Sequence, residues 1–299
     1  MSRAASKAGV NGAPRLAIVG VGLMGGSLAA ALRKARFVDR IVGVDEDPRS
    51  LEAARGRGLI DAAQDLETAA READLMVLAT PLGALPGLLA RLSCCLPAHT
   101  VVTDMGSAKQ SVVEAAHALG LSRFVPGHPM AGGECSGPMA ARADLFAGRS
   151  AILTPTEGTD EEAVRTVRAM WVAAGARVIL ADAATHDRLV AYTSHLPHLL
   201  AFACAELLAG YAPAEALAPF TGTGLKDFLR IAGSDPVMWR DICAANAASL
   251  APALAAYAER LTGYSERLAR GDFEGLLRHF AAAQAFRADL MHRSTHGEH

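Results

Sequence analysis

Leu16-Ala17-Ile18-Val19 carries no polar side chain, and Gly20-x-Gly22-x-x-Gly25 follows it at once. A short apolar run of this kind suits a strand buried on both faces. Ser27 to Ala35 is rich in alanine and leucine and has helical character. Ile41-Val42-Gly43-Val44 then reads as a second strand. It ends on Asp45, about twenty residues past the last glycine. Few folds accommodate that order. Gly20 allows the tight turn, Gly22 lets the backbone approach a pyrophosphate, and Gly25 lets helix and strand pack closely. The start of the helix offers free N–H groups and positive potential to phosphates. Gly20, Gly22, Leu23, Met24 and Gly25 are therefore expected to hold a dinucleotide. The alternative is that the glycines serve only a tight strand–helix turn. A carboxylate at Asp45 accepts hydrogen bonds from the adenosine ribose hydroxyls and repels a 2′-phosphate, which favours NAD over NADP. Arg49, four residues on, softens that repulsion and keeps NADP as an alternative.

The 299 residues are enough for two domains with substantial cores. A formal net charge of −2 gives no reason to expect nucleic-acid or membrane-surface binding. The five cysteines (Cys94, Cys95, Cys135, Cys204, Cys243) are odd in number and lack CxxC spacing, which fits a reducing cytoplasm better than a disulfide framework or a zinc site. No apolar run reaches the length of a membrane span.

After Asp45 strand-like and helix-like segments alternate. Asp47-Pro48 opens a helix to about Arg57, Ala73 to Ala79 reads as a buried strand, and Pro81 begins a helix to about Leu92. A strand at 100–104, a helix at 108–119, Phe124-Val125, Ala151-Ile152-Leu153, a helix at 160–174 and a strand at 176–180 complete the pattern. Such alternation implies α/β architecture, a parallel doubly wound sheet with right-handed crossovers. We assign 14–183 to this Rossmann-like domain and expect 1–13 to be disordered. From Ala184 alanine and leucine dominate and strands stop, so 184–292 is expected to be an all-α domain, with 293–299 a polar tail. Its helices are expected over 184–209, kinked by Pro197, then 224–231, 236–268 and 272–291. Leu250, Leu254, Tyr257, Leu261, Tyr264 and Leu268 alternate at spacings of four and three, a narrow apolar seam that suits either a dimer interface or packing within one subunit.

Ligands of doubly wound sheets bind outside the carboxyl ends of the strands. Thr80 and Ser107 each follow a predicted strand there. Ser107, in Asp104-x-Gly106-Ser107-x-Lys109, serves either the cofactor crevice or only as the cap of the next helix. His128 lies in the Gly127-His128-Pro129 turn, whose neighbours fix the backbone, and is either catalytic or a hydrogen-bonded structural histidine. His195 and His198, in Ser194-His195-Leu196-Pro197-His198, lie three apart on one helix face and suit substrate contact or a structural role. No carboxylate or thiol at matching spacing completes a metal site. Lys226 and Arg230 share a face, with Asp227 placed to steady Arg230. They form either a solvated salt-bridged face or an arginine fork for a substrate carboxylate.

GVGLMGGSLA, TDMGSAK, GHPMAGGE, SHLPH and GLKDFLRIAGSDPVMWRDI, in this order, closely resemble the prephenate/arogenate (cyclohexadienyl) dehydrogenase family of tyrosine biosynthesis, from about Arg15 to Met291. The resemblance implies a Rossmann-like NAD(P) domain followed by a helical domain that dimerises. It also implies oxidative decarboxylation, in which a cyclohexadienyl alcohol gives hydride to NAD(P)⁺, loses CO₂ and becomes aromatic. Carried over by motif, His128 accepts the proton of the ring hydroxyl, and Ser107 hydrogen-bonds that hydroxyl or His128. His198 and Arg230 hold substrate, with His195 and Lys226 beside them. Glu134 pairs with basic groups at the mouth of the site, and Trp239 lines it or the dimer interface. Other Rossmann-type dehydrogenases of the β-hydroxyacid kind, or a catalytically silent NAD-binding sensor, are the alternatives; GHPMAGGE and SHLPH speak against the first.

Overall fold

A computed structural model of the chain describes residues 14–133 and 135–296. The disorder expected over 1–13 and the role expected of Glu134 lie outside the described residues. The chain divides after Ser249 into two compact units.

The first unit is built on a six-stranded parallel sheet in the order β3-β2-β1-β4-β5-β6. Its strands are β1 (Arg15–Val19), β2 (Arg40–Val44), β3 (Ala62–Ala63), β4 (Leu75–Leu78), β5 (Val101–Asp104) and β6 (Phe124–Val125). Between them run α1 (Leu23–Lys34), α2 (Pro48–Gly56), α3 (Leu66–Glu72), α4 (Leu85–Ser93) and α5 (Gln110–Ala118). Side chains of a strand alternate between the two faces. Leu16 and Ile18 accordingly join one core cluster with Leu28, Leu32 and Trp171, while Ala17 and Val19 join another with Met76, Leu78 and Leu89. This explains why the strands read as continuous apolar runs. The strand order reverses between β1 and β4, which puts a ligand crevice at their carboxyl ends.

One expectation needs correcting. The later strands do not extend this sheet. The chain leaves it at Pro126 and starts a separate three-stranded sheet of β7 (Gly127–Pro129), β8 (Ser150–Leu153) and β9 (Arg177–Leu180), in which β7 runs antiparallel to β8 and β9 parallel to it. Proline cannot donate to a sheet ladder, so Pro126 is a natural place for the switch. The helix α6 (Glu161–Ala173) crosses between β8 and β9.

The helices that follow also differ in their breaks. α7 (Ala183–Val190) passes through a π-helical turn, Ala191–His195, into α8 (Leu196–Tyr211). Pro197 therefore sits in the first turn of α8, directly after the π turn, where a missing N–H is tolerated. After α9 (Ala214–Leu217) and α10 (Thr223–Leu229), the long helix expected from Pro236 is two helices, α11 (Pro236–Ala245) and α12 (Ala247–Arg270), broken at Asn246. In the second unit α13 (Phe273–His296) continues through the first residues of the tail expected at 293–299. Along α12, Leu254, Leu261 and Leu268 are 39%, 50% and 59% exposed, so most of the seam is uncovered.

Candidate active site

The glycine fingerprint has the geometry that its sequence implies. Gly20 adopts φ +91°, and a Cβ there would lie 2.5 Å from the Ala79 carbonyl oxygen, so the turn after β1 abuts the end of β4. At Gly25 an added Cβ would lie 2.0 Å from the Gly20 oxygen, whereas at Gly22 it would meet nothing within 4 Å. Gly22 thus marks open space at the start of α1. No side chain caps that helix start and no acid lies in its first turn, so its amides and positive potential are free for an anion. Leu23 and Met24, both half-buried, form the first turn. Asp45, at the end of β2, accepts the Val21 N–H at 2.9 Å and the Asp47 N–H at 3.0 Å, which fixes its carboxylate beside the fingerprint. Arg49 turns to Asp47, with Nε 3.1 Å from Oδ1, rather than to Asp45. Just past β4 the Thr80 hydroxyl oxygen is buried without a hydrogen-bond partner. An orphaned polar atom beside open glycine backbone fits a bound dinucleotide.

Beyond β5 the loop is tied down by charge. Asp104 accepts N–H bonds from Gly106 at 2.8 Å and from Gly127 at 3.0 Å, and takes an ion pair from Lys109. Lys109 also donates to the Gly127 carbonyl at 2.8 Å. Both side chains of the pair are completely buried. Burial pulls the Lys109 ammonium below its ordinary pKa, and Asp104 opposes that pull. Half-buried Ser107 is held in this loop between Gly106 and Lys109. Ser107 does not cap α5, however. The first amides there, Lys109 and Gln110, are held instead by Asp187 at 2.8 and 2.9 Å.

His128 lies on β7, 8% exposed. Its Nδ1 stands 2.8 Å from Nε2 of His186, and His186 Nδ1 stands 2.7 Å from the Asp187 carboxylate. With Nδ1 so engaged, Nε2 is the ring nitrogen left for a ligand. Burial above all, with His186, Lys109 and His195 nearby adding to it, holds His128 well below the ordinary histidine pKa. The imidazole is therefore neutral, as a proton acceptor must be. His128 lines a cavity of 360 Å³ with Met130, Ala131, Gly132, Leu145, Ser194 and two arginines, Arg142 and Arg149.

The two histidines of the helical segment have different surroundings. His195 is fully buried. Asn246 donates one N–H to the Asp187 carbonyl at 2.9 Å, which orients its amide and lets the same nitrogen donate to His195 Nδ1 at 3.1 Å. His195 Nε2 is buried without a partner. Its pKa is pushed down to about 4, by burial first, with Asp187 opposing and the neighbouring His186 and His198 adding to the fall. Half-buried His198 donates through Nδ1 to the Ser194 carbonyl at 2.9 Å, leaving Nε2 as an acceptor. It stacks on buried Trp239, ring centroids 4.0 Å apart. Burial lowers the pKa of His198, and the charge of Arg230 lowers it further, so Arg230 belongs to this neighbourhood. Lys226, one turn before Arg230 on α10, is exposed. His195 thus packs inward on Asn246 and Trp239, whereas His198 is half-buried with its Nε2 uncommitted.

A stability prediction follows from His195. Its folded-state pKa is depressed, so between about 6.5 and about 4 the unfolded chain binds the proton more readily. Stability should be full above that window and fall as pH drops through it. Urea unfolding at several pH values checks this, and His195→Leu should flatten the slope.

Sequence reasoning missed His186, Asp187, Asn246, Arg142 and Arg149. One signal was present for the first two. Asp187 precedes buried Val190 and Ala191 at spacings of three and four, which puts a carboxylate on an apolar helix face, where it needs partners.

Two family profiles match the chain: "Prephenate dehydrogenase, nucleotide-binding domain" over residues 28–180 and "Prephenate dehydrogenase, dimerization domain" over residues 182–282. A cyclohexadienyl dehydrogenase of Zymomonas mobilis is 34% identical over 92% of this chain and 95% of its own length. The prephenate dehydrogenase of Bacillus subtilis is 34% identical over 91% of this chain and 75% of its own. Among solved structures, prephenate dehydrogenase of Aquifex aeolicus, in complex with hydroxyphenyl propionate and NAD⁺, superposes with a TM-score of 0.87 at 34% identity, covering 92% of this chain and 98% of that one. The two profiles together span most of the chain and both relatives match more than nine-tenths of it, and the chain belongs to the prephenate dehydrogenase family of oxidoreductases.

Proposed function

We propose that the chain carries out the NAD-dependent oxidative decarboxylation of prephenate to 4-hydroxyphenylpyruvate, of arogenate to tyrosine, or of both. The observation that carries this reading is a buried, neutral His128 with one uncommitted ring nitrogen, lining a cavity that Arg142 and Arg149 also line. Such a cavity suits a small dianion with a hydroxyl to be deprotonated. Turnover assays with each substrate and each nicotinamide cofactor test it.

Gly20, Gly22, Leu23, Met24, Gly25, Asp45, Thr80 and Ser107 would hold the dinucleotide, which supplies the hydride acceptor when bound. The Asp45 carboxylate and the turning of Arg49 to Asp47 support NAD over NADP. His128 takes the proton of the ring hydroxyl at Nε2, and Ser107 orients that hydroxyl. As the O–H bond weakens, the carbon that bears it becomes a better hydride donor, and aromatisation drives loss of the ring carboxylate. Electron density must leave that carboxylate, so a cation clamped on it opposes the final step. Arg230 is therefore better used on the side-chain carboxylate, with His198 and Trp239 framing the ring and His195 behind them. Lys226 and Glu134 complete the substrate set. The cofactor half of this reading spans 14–183 and the substrate half 184–292, and the exposed seam on α12 supports pairing with a second copy of the chain.

Arg230→Ala and Arg149→Ala should each raise KM by about tenfold or more and change kcat little, because they remove a charge-assisted bond made equally in ground and transition states. Steady-state kinetics decides; an unchanged KM removes that arginine from substrate binding.

A further inference from the structure

We propose that His186 and Asp187 are positioning residues that fix His128 as its Nδ1–H tautomer and so present a bare Nε2 to the cavity. The inference rests on the reading of His128 as the base and adds how the fold makes it one.

The argument runs backward from the carboxylate. Asp187 faces three donors: the N–H groups of Lys109 and Gln110 at 2.8 and 2.9 Å, and His186 Nδ1 at 2.7 Å. Burial alone would raise its pKa, yet these hydrogen bonds more than reverse that. An ionised carboxylate only accepts, so His186 Nδ1 carries a proton and donates it. With its one ring proton at Nδ1, His186 has a bare Nε2, which accepts from His128 Nδ1, 2.8 Å away. His128 is left with its lone pair at Nε2. A wrong tautomer would put an N–H there, and the hydroxyl of a substrate would find no acceptor.

A doubly protonated His186 would donate from both nitrogens and reverse the tautomer of His128, putting the proton of His128 on Nε2, which the first test below reads directly. The rings of His128 and His186 are inclined at 73°, an angle that an N–H···N bond tolerates because rotation about its axis leaves the bond intact. During reaction the substrate O–H bond breaks and a His128 Nε2–H bond forms. His128 becomes an imidazolium whose Nδ1–H still points at His186, and Asp187 behind it supplies the opposing charge. No group other than the substrate loses a proton in that step.

The decisive experiment reads the tautomer in the full-length protein. Long-range ¹H–¹⁵N correlation spectra of ¹⁵N-histidine-labelled wild type, with the His128 signals identified by their loss in His128→Asn, should show a protonated Nδ1 and an unprotonated Nε2. A protonated Nε2 at neutral pH overturns the inference, whatever the variants do. A second test separates positioning from packing. In His186→Gln the side-chain oxygen can still accept from His128, whereas in His186→Leu nothing can. The leucine variant should lose about a hundredfold in kcat with KM within about threefold of wild type, and the glutamine variant should regain much of it. Equal kcat in the two variants also overturns the inference. Wild-type-like turnover in His128→Asn would instead sink the base itself, so the two failures are distinguishable.

Discussion

His128→Asn should lower kcat by about 10²–10⁴-fold, the range that a positioned general base contributes, while the affinity for NAD stays close to wild type. The asymmetry follows from where the side chain sits. The asparagine amide nitrogen can take the place of Nδ1 and keep the bond to His186, but nothing replaces Nε2. The fingerprint around Gly20, Gly22 and Asp45 belongs to a different sheet, so cofactor binding has no reason to change. Initial-rate kinetics together with NAD titration by fluorescence measures both. Turnover near wild type would remove His128 from the chemistry.

Lys109→Met should be the most destabilising single change near the site. Lys109 and Asp104 are an ion pair without solvent access, and Lys109 also satisfies the Gly127 carbonyl. Removing one member leaves an uncompensated buried charge, which typically costs about 3–5 kcal/mol. Asp104 keeps the Gly106 and Gly127 amides as donors, which softens the loss without cancelling it. Urea denaturation should show the lower midpoint, and Asp104→Asn combined with Lys109→Met should be less destabilised than the sum of the single changes. Strict additivity would show that the pair is not coupled. Because Gly127 precedes His128, the single variant should also lose activity in the fraction that stays folded.

Local physics made much of this legible beforehand. The turn at Gly20, the close approach at Gly25 and the carboxylate at Asp45 are constraints within thirty residues of chain, so the motif alone implied strand, helix and strand. Apolar runs such as Leu75–Leu78 announced buried strands, because both of their faces are covered. Pairing partners were not announced. Ala151-Ile152-Leu153 has the same character whether it joins the large sheet or a small one, and only the switch at Pro126 decides. The helix break at Asn246 was hidden because alanine and leucine continue the pattern across it; what matters there is a side chain bonded to Asp187 and His195. The same holds for the site. His128 stood out by its glycine and proline neighbours. His186 did not, since its meaning comes from a contact made across 58 positions of chain. Ser107 was placed correctly after a strand, but the cap of the following helix comes from Asp187, which local spacing could not supply.

The most direct test of the central claim is the appearance of reduced nicotinamide when purified protein is given prephenate or arogenate, each with NAD⁺ or NADP⁺. The account predicts turnover with at least one of the two substrates and a higher kcat/KM with NAD⁺ than with NADP⁺. Absence of turnover in every combination, with NAD⁺ still bound, would contradict it and leave a protein that binds the cofactor without using it.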